Sequence, residues 1–172
     1  NISVGSAADF GIGEVAVKEK TVLTLDNCDS AAGYTYGSGE TPSVYTEIKV
    51  EGAGAVGAQT GESFTLTKTF DKPLDISAYV KSGYIYFWLY VENADTLANG
   101  ASLALRSSDK DMVAWSIKGL KKGWNELLLK FSGTNIGSGA IDFTRLNRIT
   151  LTVGNNGANL FAVDNILYGY SR

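Results

Sequence analysis

The stretch Tyr84-Ile-Tyr-Phe-Trp-Leu-Tyr-Val91 constrains the fold more than any other part of the chain. Ile85, Phe87, Leu89 and Val91 alternate with Tyr84, Tyr86, Trp88 and Tyr90. Successive side chains of a strand point to opposite sides, so this run is a strand with one core-like face and one wholly aromatic face. The first face belongs in a core. The second is either exposed, in which case a ladder of rings calls for a ligand, or roofed by another part of the chain.

Short β-rich runs separated by turn residues recur along the rest of the sequence. Strands are expected near 15–19, 21–26, 44–51, 63–70, 84–92, 101–107, 112–117, 125–131, 147–153 and 160–168. Phe64 and Leu66, with Lys68 in phase, oppose Thr65, Thr67 and Thr69; Ile149, Leu151 and Val153 oppose Arg148, Thr150 and Thr152. No segment carries a 3.6-residue period; residues 75–79 and 142–146 hold at most a helical turn capped by Asp or Thr. The expected fold is all-β, a two-sheet antiparallel β-sandwich of jelly-roll type. Its expected core contains Phe64, Leu66, Phe87, Leu89, Leu103, Leu105, Leu127, Leu129, Ile149, Leu151 and Ile166. At 172 residues one domain is expected, over 15–172, behind a glycine-rich linker or loose segment at 1–14.

Composition removes several function classes. A net charge of −3, from 15 basic and 18 acidic residues, gives no basic surface for nucleic acid or membrane. No apolar run reaches about 18 residues. The chain has no histidine, which excludes Ser-His-Asp and Cys-His catalysis and His-ligated metals. The single Cys28 excludes an intramolecular disulfide and thiolate clusters. Carboxylate or tyrosine chemistry, oxygen-ligated calcium or magnesium, or no chemistry remain. The first residue is Asn1 rather than Met, so the expectation is an excised domain of a secreted or cell-surface protein, its export signal outside the fragment.

Catalysis fares poorly. Glycosidase carboxyls stand about 5–5.5 Å apart to retain, or about 6.5–9.5 Å to invert. Glu47 and Glu51, four apart on the expected strand 44–51, would be separated by about 13 Å. Asp109 and Asp111 fall in a loop and read as solvated turn charges. Without histidine, a lyase would need a Tyr–Arg or Tyr–Lys pair.

Several runs in order resemble a known group: Tyr84–Val91, Leu103-Ala-Leu-Arg-Ser-Ser108, Ala114-Trp-Ser-Ile117, Gly123-Trp-Asn-Glu-Leu-Leu-Leu129 and Val163-Asp-Asn-Ile166. Over roughly residues 21 to 170 the chain resembles the galactose-binding-like jelly rolls of bacterial carbohydrate-binding modules, which are appended to polysaccharide-degrading enzymes. The resemblance implies non-catalytic polysaccharide binding, a linked catalytic domain and a monomer. It also implies a structural calcium between the first and last strands, held by Asp26, Glu51 and Asp164; otherwise Asp26 makes a turn and Asp164 bonds a loop.

Sugars offer apolar C–H faces to aromatic rings and hydroxyls to polar side chains. Same-face residues of a strand stand about 6.6–7 Å apart, near the footprint of one sugar ring. The candidate binding residues are therefore Tyr84, Tyr86, Trp88 and Tyr90, with Tyr45 and Glu47 (and Lys49) sharing one face of strand 44–51, and Arg106 and Trp115 beyond. Trp124 is a further candidate, set against the reading of Gly123-Trp124-Asn125 as an architectural turn, and Tyr34 and Tyr36 either cover one end of a groove or pack a loop down. The same aromatics would serve packing in a structural or interaction module of a bacterial surface or cellulosomal protein. A jelly-roll lyase or glycosidase is a third reading.

Overall fold

The computed structural model describes residues 20–78 and 80–171. Twelve strands are present among them: β1 (Lys20–Asp26), β2 (Tyr34–Tyr36), β3 (Ser43–Tyr45), β4 (Ala55–Thr60), β5 (Phe64–Leu74), β6 (Tyr84–Val91), β7 (Leu97–Arg106), β8 (Met112–Ile117), β9 (Gly123–Lys130), β10 (Ile136–Ser138), β11 (Leu146–Asn155) and β12 (Asn159–Ser171). They form two six-stranded sheets in a sandwich of jelly-roll type, and every pairing is antiparallel. One sheet runs β3-β4-β12-β6-β9, with β1 also on β12; the other runs β10-β8-β7-β11-β5-β2.

Strand β12 organises the first sheet. β6 follows one of its edges, while the other edge is shared: β4 pairs with Asn159–Val163 and β1 with residues from Ile166 onward. The changeover falls at Asp164 and Asn165, where the register against β6 shifts and Asn165 turns to φ 53°. Such an irregularity bends the strand and frees local backbone groups from the ladder.

Alternation decides the core. Ile85, Phe87, Leu89 and Val91 are fully buried against Phe64, Leu66, Leu103, Leu105, Ile149, Leu151 and Val153 of the opposite sheet. Each such side chain contributes about 1.5–3 kcal/mol by leaving water. All the expected core residues are inside or packed against this cluster, Leu127 and Leu129 at its margin.

Several elements differ from the sequence expectation. The strand expected at 44–51 stops at Tyr45, and residues 46–54 cross to a separate strand, β4, rich in Ala and Gly. β2 and β10 are three-residue strands at the margins of the second sheet and carry too little pattern to read. The turn at 142–146 is present as a 3-10 turn at Phe143–Arg145, its Asp142 carboxylate accepting from the Thr144 N–H at 3.0 Å. At 75–78 there is no helix; Asp75 instead closes a local turn on Ser77, and the 3-10 turn is Val80–Ser82. The linker expected at 1–14 and the strand expected at 15–19 lie outside the described residues.

Candidate functional site

The aromatic face of β6 lies on the outside of the first sheet. Across to β9, Tyr90 opposes Trp124, Trp88 opposes Glu126, Tyr86 opposes Leu128 and Tyr84 opposes Lys130. Across to β12, the same four oppose Ala162, Asp164, Leu167 and Gly169. Gly169 is required there: a Cβ would stand 2.2 Å from Cζ of Tyr84, whose ring lies over it. Of the four β12 residues, Ala162 and Gly169 are small and leave room for the rings of Tyr90 and Tyr84.

The face is neither bare nor roofed. Tyr84, Tyr86, Trp88 and Tyr90 are all half-buried, while Leu128 beside them is 48% exposed. Segment 46–54 walls the Tyr90 end. Asp164 Oδ2 accepts from the N–H groups of Val50 (2.7 Å) and Glu51 (3.0 Å), and Asp29 Oδ1 from those of Ala53 (2.8 Å) and Gly54 (3.1 Å). Tyr45, Ile48, Tyr90 and Trp124 pack round Ala55, Leu160 and Ala162 in a small apolar cluster separate from the main core.

The rings do not form a flat ladder. Tyr86 and Trp88 meet edge to face, centroids 6.3 Å apart and planes at 88°; Tyr90 and Trp124 do so at 5.3 Å and 64°. Edge-to-face pairs are favourable in their own right and fix the rings relative to one another. The Tyr86 hydroxyl donates to the Glu126 carboxylate. Desolvation, then Glu126, pushes the Tyr86 phenol up to about 12, so it remains a protonated donor.

Other candidates fall elsewhere. Tyr45 is on this face, but Glu47 and Lys49 are exposed in the segment after β3, so the shared strand face expected for them does not exist. Arg106 is on the outer face of the opposite sheet, its guanidinium donating to the Asp109 carbonyl at 3.1 Å. Trp115 points into the core, 3% exposed, with Nε1 donating to the Lys130 carbonyl at 2.6 Å and its ring edge to face with Phe131. Tyr34 is buried and Tyr36 tilts against Phe64, so both pack their segment down.

Trp124, a candidate set against a turn reading, belongs to the face, and so do Glu126 and Leu128, which the sequence reading does not single out. Their signal was present: if Leu127 and Leu129 point inward, the residues between them point out. The architectural residue of Gly-Trp-Asn is Asn125. It accepts from the Lys121 N–H at 2.8 Å and donates to the carbonyls of Leu89, Lys121 and Gly123.

The expected metal ligands divide. Asp164 Oδ1 and Glu51 Oε1 are buried with no hydrogen-bond partner among the described residues. Burial, then neighbouring carboxylates, raises Glu51; burial raises Asp164 too, with Asp29 adding to it. Orphaned carboxylate oxygens of this kind fit a hard cation. Asp26 is engaged elsewhere: its Oδ2 accepts from the Tyr34 hydroxyl at 2.6 Å and the Cys28 N–H at 3.1 Å, and Lys68 supplies its positive charge. Asp29 takes its place beside Glu51 and Asp164. Among the described residues no three His, Cys, Asp or Glu side chains gather tightly enough to hold a metal alone, so main-chain oxygens would complete the set.

The opposite outer face has another chemistry. Thr67 and Thr150 pair across β5 and β11, as do Thr65 and Thr152, and Ser102 pairs with Ser116. Arg148 bonds the Asp109 carboxylate there.

No protein-family profile matches the chain, and no curated protein matches it in sequence. Solved structures do. A family 11 carbohydrate-binding module from Clostridium thermocellum, in complex with a β-1,3-1,4-mixed-linked tetrasaccharide, is 21% identical over 86% of this chain and 94% of its own, with a TM-score of 0.60. A family 30 carbohydrate-binding module of a cellulosomal cellulase of Clostridium thermocellum is 12% identical over 86% and 96%, with a TM-score of 0.64. An agarase matches over 88% of this chain but 25% of its own length, at 9% identity and a TM-score of 0.63. At these identities the likeness establishes the jelly-roll fold.

Proposed function

We propose that this protein is a non-catalytic polysaccharide-binding module whose ligand lies along the outer face of β6 and β9. The observation that carries the reading is one sheet face holding Tyr84, Tyr86, Trp88, Tyr90 and Trp124 half-exposed beside Glu126 and an exposed Leu128. Trp88 offers apolar surface to the C–H face of a sugar, and the Glu126 carboxylate accepts from its hydroxyls. Because Tyr86 and Trp88 are nearly perpendicular, one ring stacks while the other buttresses it, and a flat four-ring platform is not required. Shallow wet contacts of this kind give micromolar to millimolar affinity. Such a module, acting as a monomer outside the cell, would raise the effective concentration of a linked catalytic domain at its substrate.

Calcium belongs to the same proposal. Asp29, Glu51 and Asp164 would hold it with main-chain oxygens, and its charge would neutralise the orphaned Glu51 and Asp164 carboxylate oxygens where segment 46–54 meets β12. Mixed-linkage β-glucan, the polymer class of the tetrasaccharide in the family 11 complex, is the first ligand to test, followed by cellulose derivatives and agarose. Retardation in native gels containing each polymer is expected for the wild type and lost in Trp88→Ala. Silence across the panel would favour a structural or interaction module; release of reducing sugar would revive an enzyme.

A further inference from the structure

A second site opens at the end of the sandwich beside the β1–β2 connection. A cleft of about 440 Å³ is bounded there by Leu25, Asp26, Gly33, Lys68, Phe70 and Asp71. Asp26 and Lys68 form its polar base and are held from several directions. The Tyr34 hydroxyl and Cys28 N–H both donate to Asp26 Oδ2. The Lys68 ammonium donates to the Ala32 carbonyl at 2.7 Å and lies 4.8 Å over the Tyr34 ring. The Thr69 N–H donates to the Gly33 carbonyl at 2.8 Å, drawing the connection onto β5. Gly33 sits at φ 79°, and a Cβ there would stand 2.7 Å from the Thr69 carbonyl oxygen and 3.1 Å from the ammonium.

The pair is fixed but incompletely bonded. Asp26 Oδ1 and Lys68 Nζ stand 3.7 Å apart, beyond hydrogen-bond length, and the side chains keep 21% and 14% exposure. Lysine has three donors, of which the Ala32 carbonyl takes one. A hydroxyl oxygen placed between the two groups would accept from Nζ and donate its proton to Oδ1, satisfying both at once. Asp71 and Lys72 repeat the balance of charge at the rim, which favours a neutral ligand over an ion. Leu25, Phe70 and Leu74 supply apolar surface for C–H groups.

We propose that this cleft binds one neutral sugar ring, apart from the β6 face, with a single hydroxyl bridging Asp26 and Lys68. The ring comes either as a free monosaccharide or as the end of a glycan chain.

Amide chemical-shift mapping of the whole chain tests this with methyl β-glucoside, methyl β-galactoside and a mixed-linked glucan tetrasaccharide. The amides of Gly33, Thr69 and Phe70 are expected to shift. A response to a methyl glycoside identifies a free ring as sufficient, and a response to the tetrasaccharide alone identifies a chain end. Lys68→Met, which keeps the apolar stem, is expected to weaken these shifts about tenfold while the Trp88 indole response to the tetrasaccharide is unchanged. Shifts confined to β6 and β9 overturn the proposal, as do cleft shifts indifferent to Lys68→Met. Calcium moving the same amides, with no response to any sugar, also overturns it. The wild-type map does not depend on how the variant folds. Loss of the β6 response with the cleft response retained would sink only the polysaccharide reading.

Discussion

The two outer faces of this sandwich share a backbone geometry and differ in every chemical respect. On the β6 sheet, the half-exposed rings of Tyr84, Tyr86, Trp88, Tyr90 and Trp124 stand beside Leu128 and the Glu126 carboxylate. On the β11 sheet, threonine and serine pair across strands, and the arginines are occupied by Asp109. Threonine on an outward strand position needs no ligand to explain it, since a β-branched side chain suits the pleat and its hydroxyl meets water. Rings left half in water do ask for an explanation. Strand patterning is equally good on both sheets, so patterning alone does not mark a binding face.

Tryptophan substitutions separate the two sides most sharply. Trp115, on the inner side of the β11 sheet, is core, and Trp115→Ala is expected to cost about 3–5 kcal/mol of stability in denaturant unfolding. Trp88→Ala is expected to leave most of the stability and remove about 2 kcal/mol of glycan binding, roughly thirtyfold, by calorimetry. If Trp115→Ala kept full stability, or Trp88→Ala kept full affinity, the assignment of faces would be reversed.

The Glu51 and Asp164 carboxylates, where segment 46–54 meets β12, give a smaller effect with a definite sign. Burial raises the Asp164 and Glu51 carboxyls above the ordinary range. Without metal, the folded chain then holds protons that the unfolded chain has released. Stability should therefore fall as pH rises from about 4 through the raised folded values. Calcium should offset that loss near neutrality and do little in acid. Thermal melts with calcium and with chelator check this, and a calcium shift that was largest in acid would refute it. Asp164→Asn should abolish the calcium-dependent shift. Smallest of all, Arg106→Ala should change both stability and glycan binding by about 0.5 kcal/mol or less, because its guanidinium serves a surface loop.

Legibility followed the length and contrast of each pattern. β6 alternates cleanly over all eight of its residues, and β5 from Phe64 to Thr67 and β11 from Ile149 to Val153 do so over shorter stretches, so their inward residues were readable one by one. β4 was not, because Ala55-Val-Gly-Ala-Gln-Thr60 carries small residues on both faces. Gly57 is small for a reason invisible locally: a Cβ there would stand 2.0 Å from the Phe161 carbonyl oxygen. Trp115 and Trp124 are the instructive pair. Both sit in good strands, yet one is inside and the other outside, since phase relative to a core depends on which neighbours face it. Asp26 makes the turn that was its other reading, its Oδ2 accepting from the Cys28 N–H, but its positive neighbour Lys68 comes from β5, 42 positions along the chain, and was not legible locally.

By itself the sequence determined that the chain is all-β, that the Ile85–Val91 face of β6 is core, and that Tyr84, Tyr86, Trp88 and Tyr90 share the other side. Those follow from a two-residue period, which is a local property of the backbone. Only the tertiary structure decided how far that aromatic side is open. The wall at its Tyr90 end is segment 46–54, and the bond from Val50 to Asp164 that holds it spans 114 positions. No local pattern encodes a contact at that separation; it exists because β12 changes partners at Asp164 and leaves a buried carboxylate there to receive it.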